Sequence, residues 1–182
     1  MTDILEQDQL RGRWIRTLVW GGAVALLLLP AIAMQFTAEV NWEANDFVVM
    51  GGMLLAVCIA YEIAARIARN NAYMVAAGLA AGASFLTVWA NLAVGIIGSE
   101  NNPVNDLFFG VVAVAVFGSP LVLFRARAMA WVMVATAVAQ LAVCLYTWFA
   151  GLGYVLVFTG VMCALWLTSA RLFRIADRQS KA

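Results

Sequence analysis

Long apolar runs alternate with short polar segments along the whole chain. Each run is about 17 to 26 residues long, which is enough for an α-helix to cross roughly 30 Å of hydrocarbon. The runs are continuously apolar rather than alternating in polarity, so the pattern favours helices and argues against the strands of a β-barrel. We interpret six runs as membrane spans: Leu18–Met34, Phe47–Ala65, Ala72–Ile97, Leu107–Phe124, Met129–Phe149 and Gly153–Ala170.

These runs predict an all-α, polytopic transmembrane helix bundle of six spans. The expected organisation is an N-terminal tail at 1–17, a membrane domain at 18–170 and a C-terminal tail at 171–182. The first span, with small residues at 31–33, also resembles a secretory signal peptide, although the acidic tail before it argues against that interpretation. Cleavage would leave five spans and would not change the topology of the rest.

The basic residues occupy alternate segments between the spans. Arginine or lysine lies before the first span, between the second and third, between the fourth and fifth, and after the sixth. The basic side chains concerned are Arg11, Arg13, Arg16, Arg66, Arg69, Arg125, Arg127, Arg171, Arg174, Arg178 and Lys181. If successive spans alternate in direction, all of them lie on one face of the membrane, and the positive-inside rule predicts that both termini are cytoplasmic.

Composition supports a membrane protein and narrows the chemistry. Only 12% of the residues are charged, whereas soluble domains contain about 25%. The net charge of +1 gives no reason to expect a nucleic-acid partner. The chain has no histidine, which removes histidine-ligated metal or haem sites and Ser-His or Cys-His nucleophile pairs. We therefore expect no cofactor, no metal and no catalytic activity.

Small and aromatic residues predict how the helices pack. Gly78 and Gly82 form a GxxxG pattern among alanines, which favours a close helix–helix contact in lipid, and the second span is the expected neighbour. Tryptophan and tyrosine near span ends are expected at the membrane–water interfaces. Trp166 belongs to the group expected at the inner interface.

One carboxylate and two amides lie within the spans. Glu62 is the only charged residue there, and Arg66 one turn later favours an ion pair at the inner edge; the alternative is a carboxylate that handles protons or cations inside the bundle. Asn91 and Gln140 are the deepest amides. Interhelical hydrogen bonds by such amides usually stabilise packing, and the functional alternative is that both line a polar pocket that opens outward.

The two outer loops hold all of the acidic residues that the predicted topology places outside the membrane. They read "EVNWEANDF" (39–47) and "GSENNPVNDL" (98–107). Asp46, Asn105 and Asp106 stand where side chains cap helix N-termini, and "NNP" is typical of a turn. A solvated loop is one interpretation. The other is an acidic, amide-rich outer face that binds a cation or a basic partner, with Glu39, Glu43, Asp46, Asn91, Glu100 and Asp106 as its candidate residues.

Three stretches carry a resemblance to known sequences: "EVNWEANDF", "YEIAARIARN" and "NLAVGIIGSENNPVN", within residues 39–105. They resemble a family of small, uncharacterised bacterial inner-membrane proteins. The resemblance implies a multi-pass protein of the bacterial cytoplasmic membrane, and it implies no activity for any residue.

The sequence therefore favours a non-enzymatic inner-membrane protein. Its expected partners are the lipid bilayer and another membrane or periplasmic protein, or a small cationic ligand, bound at the outer face. The alternative is a small transporter or channel with a polar path near Asn91, Gln140 and Glu62. An intramembrane enzyme ranks last, because it would need two acids converging in one pocket.

Overall fold

The computed structural model describes residues 2–99, 101–153 and 155–181, with side chains from Trp14 onward. Over these residues the chain is all-helical and contains no strand. The six α-helices are α1 (Thr2–Ala33), α2 (Ala44–Ile67), α3 (Asn71–Ala93), α4 (Asp106–Leu121), α5 (Ala126–Phe149) and α6 (Leu156–Gln179), with a 3₁₀ turn at Pro103–Asn105 before α4. All six are long and apolar enough to cross a membrane, which confirms the predicted number of span-length apolar helices.

Several helix ends differ from the predicted span ends. Helix α1 continues back to Thr2 and α6 continues to Gln179, so both expected tails are largely helical. Helix α3 ends at Ala93, four residues before the predicted end of its span. Gly95 follows with a φ of 70°, a left-handed conformation that glycine adopts without steric cost and that does not continue a helix.

The chain divides into two compact units, Met1–Ile59 and Ala60–Ala182. The first contains α1 and the greater part of α2. In it, Leu27 of α1 lies against Gly51 of α2, where a β-carbon would be 3.7 Å from the Leu27 Cδ2 atom. This is an ordinary van der Waals distance, so an alanine at position 51 would fit against Leu27.

The second unit is built on an antiparallel bundle of α3, α4, α5 and α6. Each of these helices packs against the next along the chain, and α6 closes the ring by packing against α3. The core is formed by small side chains around a few large ones, chiefly Trp166, Phe173 and Met133, which are fully buried. Large apolar side chains such as Phe117 and Leu145 point outward, as expected for a helix bundle in lipid.

The packing of α3 corrects the prediction made from its glycines. The side chains of α3 that are buried include Ala76, Ala80 and Ala83, and α6 is its main neighbour within the second unit. The Ser169 hydroxyl of α6 donates to the carbonyl oxygen of Ala76 at 2.8 Å. A β-carbon added at Gly78 or at Gly82 would meet open space. Apart from the backbone of α3 itself and the neighbouring residues, no described atom would lie within 4 Å of it. Close approach therefore uses the alanine face rather than the GxxxG face.

Contacts at the ends of the helices join the expected inner loops to one end of the bundle. The Tyr73 hydroxyl donates to the carbonyl oxygen of Phe124 at 2.8 Å. The Asn70 side-chain amide donates to the carbonyl oxygen of Ala176 at 3.0 Å, and Asn70 also caps α3 by accepting from the backbone of Tyr73. In the second unit the start of α3, the α4–α5 turn and the end of α6 are thus held together.

Trp166 is buried within the protein, whereas the prediction placed its ring at the inner membrane–water interface. Its side chain is fully buried in the core of the second unit. The aromatic side chain that marks this end of the bundle is Trp131, which is exposed and carries the Arg174 guanidinium 5.1 Å from its ring centroid. Such a pair is favourable at exposed sites by roughly 0.5–1 kcal/mol.

Candidate functional site

The loop between α3 and α4 is organised around the side chain of Asn105. Its oxygen accepts hydrogen bonds from the backbone N–H groups of Ile96 and Ile97, at 3.2 and 2.8 Å. Its nitrogen donates to the carbonyl oxygen of Ser99 at 2.8 Å. Asn105 is buried, so these bonds satisfy backbone groups that water does not reach. One side chain therefore fixes the fold of the loop.

This role replaces the predicted one. Asn105 occupies the position before α4 at which a cap is expected, but its backbone is helical and its side chain makes no capping hydrogen bond. Capping needs an extended backbone at that residue so that the side chain reaches the helix N–H groups. The 3₁₀ turn before α4 gives Asn105 a helical conformation, and its side chain turns back toward the loop.

Asn91 ties this loop to the bundle. Its side-chain nitrogen donates to the backbone carbonyl oxygen of Asn105 at 2.9 Å. Asn91 is 3% exposed and lies two residues before the end of α3. Asn91 therefore holds the loop against the end of α3, and its amide is not exposed on the surface of the protein.

The "NNP" segment forms the predicted turn. Asn102 has an extended backbone before Pro103, and its side-chain oxygen accepts from the Val104 N–H at 3.1 Å. Its nitrogen donates to the carbonyl oxygen of Ile97 at 3.1 Å. The amide-rich loop is thus explained largely by its own backbone.

The candidate acidic residues have different environments. The Asp46 carboxylate accepts from the backbone N–H of Glu43 at 2.8 Å. Asp46 is the third residue of α2 and not the residue before it, so it stabilises the helix start in the manner of a capping box. Glu39, Glu43 and Asp106 are exposed, and their carboxylates make no hydrogen bond or ion pair with any described residue. Glu100 lies outside the described residues.

The two other intramembrane candidates also differ from each other. Glu62 is half-buried on α2. Gln140 is fully buried in the middle of α5, and neither its side-chain oxygen nor its nitrogen has a hydrogen-bond partner among the described protein atoms. Burying an unpaired amide is costly. Among the described residues, Gln140 is the only one with two buried side-chain atoms that lack a hydrogen-bond partner.

The structure adds two polar groups that the sequence interpretation missed. The Thr159 hydroxyl and the Trp166 indole N–H, both on α6, are also buried without a partner among the described atoms. The sequence does contain a pattern that could have identified them. Thr159, Cys163 and Trp166 are spaced four and three residues apart, which places them on one face of α6. Threonine and tryptophan also occur on other faces of apolar spans, so this spacing alone does not identify Thr159 and Trp166 as buried polar groups.

The described residues offer no cluster with the ligands of a metal site. No three of their cysteine, aspartate or glutamate side chains come together. Cys58, Cys144 and Cys163 are each buried, and none of them forms a disulfide bond.

The chain was compared with protein-family models, with curated proteins and with solved structures, and no match was found in any of the three. The resemblance to small bacterial inner-membrane proteins therefore stays a prediction.

Proposed function

We propose that this chain is a non-enzymatic integral membrane protein of a bacterial inner membrane, with both termini in the cytoplasm, and that it acts by binding at its outer ends. Six helices have the length and apolar character of membrane spans. In the second unit, the contacts of Tyr73 with Phe124 and of Asn70 with Ala176 bring the arginine-bearing segments to one end. That clustering supports a cytoplasmic location for this end.

The ligand in this proposal is a basic segment of a partner protein or a small cation. The observation that carries it is that the carboxylates of Glu39, Glu43 and Asp106 are exposed and make no hydrogen bond or ion pair with any described residue. Acidic side chains without internal partners keep their full charge available to a ligand. Asp46 contributes less, because its carboxylate already accepts from the Glu43 backbone. Glu100 remains a predicted member of the acidic set.

The test neutralises these acids without changing their size. Glu39→Gln, Glu43→Gln, Glu100→Gln and Asp106→Asn are combined in one variant, which is purified in native lipid beside the unmodified chain. Any stoichiometric protein is quantified by mass spectrometry, and calcium binding is measured by calorimetry. We expect the variant to lose at least about 90% of the bound partner or of the calcium heat, because the carboxylates that would attract a cationic ligand are neutralised together.

The control is Asp177→Asn, which removes one acid near the C-terminal end of α6, away from the substituted loops. Asp177 pairs there with Lys181. This variant should retain the ligand. The proposal is wrong if the neutralised variant holds the same partner and the same calcium as the unmodified chain, or if neither ligand is found on the unmodified chain.

A second candidate function is a small transporter or channel, and Gln140 favours it. Both atoms of this amide are unpaired in the middle of α5, and Trp166 extends the set of unpaired groups inward along the bundle. Polar groups within a membrane bundle often mark a pathway. Glu62 is the predicted third member of the path, and it lies half-buried on α2.

Proteoliposome swelling in glycerol tests this candidate, with a small neutral solute as the probe. If the path exists, vesicles with the unmodified chain should swell faster than protein-free vesicles, and Gln140→Leu should abolish the difference. Thr136→Val is the matched control on α5, because Thr136 is equally buried but its hydroxyl bonds the Val132 carbonyl oxygen. Equal swelling of vesicles with and without protein would reject the path.

A further inference from the structure

Four of the five buried side-chain atoms without a partner among the described residues belong to three side chains on three different helices of the second unit. They are the oxygen and nitrogen of the Gln140 amide, the Thr159 hydroxyl oxygen and the Asn91 side-chain oxygen. The three residues are at most 3% exposed. Other buried hydroxyls in this bundle behave differently: those of Thr87 and Thr136 bond to backbone carbonyl oxygens. Unpaired groups are therefore not a general feature of buried polar residues in this bundle.

A contact between α5 and α6 places Gln140 and Thr159 at the same level. The Cys163 sulfur lies 3.6 Å from the carbonyl oxygen of Ala137. Gln140 is three residues further toward the outer end of α5, and Thr159 is four residues further toward the outer end of α6. Residues three or four apart share a helix face and are about 5–6 Å apart along it. Both side chains thus lie one turn outward from the same contact.

A contact between α3 and α6 places Asn91 beside them. The Thr87 hydroxyl lies 3.5 Å from the Met162 sulfur. Asn91 is one turn outward from Thr87 on α3, and Thr159 is one turn outward from Met162 on α6. Thr159 therefore shares one face with Cys163, toward α5, and another with Met162, toward α3. The three unpaired side chains converge on the interior of the bundle at one level.

The chemistry of these groups specifies a small neutral occupant. Among the described residues, every buried polar side chain is uncharged, so nothing at this level would compensate an ion. Two oxygens accept, the Gln140 nitrogen donates, and the Thr159 hydroxyl does either. An occupant must both donate and accept hydrogen bonds and must be small enough for a closely packed interior. Water meets these requirements, and buried waters typically make two to four hydrogen bonds to such groups.

We propose that Asn91, Gln140 and Thr159 form an internal water-binding site between α3, α5 and α6. The site does not depend on either proposed function, because ordered water can be held in a bundle that transports nothing. Asn91 gives the site a structural role, since its nitrogen holds the Asn105 carbonyl oxygen of the outer loop while its oxygen faces the site. Water at Asn91 would fix the orientation of that amide and so support the loop.

X-ray radiolysis of the full chain in lipid nanodiscs tests the site directly. Hydroxyl radicals formed from a bound water oxidise the methionine and cysteine side chains beside it. Met162 and Cys163 are one turn from Thr159, whereas Met133 is buried seven residues from Gln140 along α5 and serves as the internal control. All three side chains are buried, so radicals from bulk solvent should reach none of them readily. We therefore expect Met162 and Cys163, which lie nearer the bound water, to be oxidised at least about fivefold faster than Met133. Equal rates in the unmodified chain would overturn the proposal.

Two variants assign the water to these side chains. Thr159→Val preserves shape and removes one polar group, and Gln140→Leu removes two. In either variant the oxidation rate of Met162 should fall toward that of Met133. In Thr136→Val, the matched control with a satisfied hydroxyl, it should not change. Fast oxidation of Met162 that persists in both test variants would also overturn the proposal, because the water would then be bound elsewhere.

Discussion

The side-chain nitrogen of Asn91 donates to the backbone carbonyl oxygen of Asn105 at 2.9 Å, across the loop that joins α3 to α4. Each residue is buried, and Asn105 in turn holds the backbone at Ile96 and Ile97. Two asparagines separated by fourteen positions thus connect a membrane helix to the loop above it. This relationship accounts for the amides of the loop without assigning them to a ligand.

Removal of the Asn105 side chain should unfold this loop before it affects the bundle. Asn105→Ala leaves the buried N–H group of Ile97 and the part-buried N–H group of Ile96 without their acceptor, and we expect a loss of about 2–4 kcal/mol in the free energy of unfolding. Asn102→Ala is the control, because Asn102 is only half-buried, and its cost should be about 1 kcal/mol. Denaturation in mixed micelles measures both variants, and hydrogen exchange at Ile97 locates the effect. Equal costs for the two variants would contradict the assignment.

The glycines of α3 and α4 should respond to alanine in opposite directions. A β-carbon at Gly118 would lie 2.8 Å from a methyl group of Val132, a stiff and buried neighbour on α5. Gly118→Ala should therefore destabilise the chain by about 1–3 kcal/mol. Gly78→Ala meets open space and should stabilise α3 by up to about 1 kcal/mol through helix propensity.

Thermal unfolding of the two purified variants measures this difference. A destabilising Gly78→Ala would show that the GxxxG face of α3 is covered after all, for example by a second copy of the chain. A neutral Gly118→Ala would show that α4 and α5 can separate at no cost.

Hydropathy predicts the number of helices in this chain but not which of their faces are buried. The number of helices follows from apolar length alone. The inward face of α3 does not, because a span that is apolar all round gives no amphipathic signal to separate Ala76 from Gly78. The burial of Trp166 could not be predicted for a related reason. Tryptophan occurs both in protein cores and at membrane interfaces, and hydropathy does not separate the two locations. The role of Asn105 depends on contacts with residues six to fourteen positions away, which local capping rules do not consider.

Asp46 should matter for stability more than for binding. Asp46→Ala removes the acceptor for the Glu43 N–H and should cost about 1 kcal/mol of folding stability. Asp46→Asn keeps an oxygen there and should recover most of that loss, while Glu43→Gln, an exposed change, should have no effect. Thermal unfolding separates the three variants. If Asp46→Asn lost the bound partner or calcium while retaining stability, Asp46 would belong to the ligand site instead.

The central claim is that the chain crosses the membrane an even number of times, with its arginines on the cytoplasmic side. Cysteine labelling in intact cells tests it most directly. Cys58, Cys144 and Cys163 are first replaced by alanine, and Ser99→Cys and Ser180→Cys are then introduced separately at two exposed positions. An impermeant thiol reagent should modify Ser99→Cys in intact cells and Ser180→Cys only after the cells are opened. Labelling of Ser180→Cys but not of Ser99→Cys in intact cells would contradict the account.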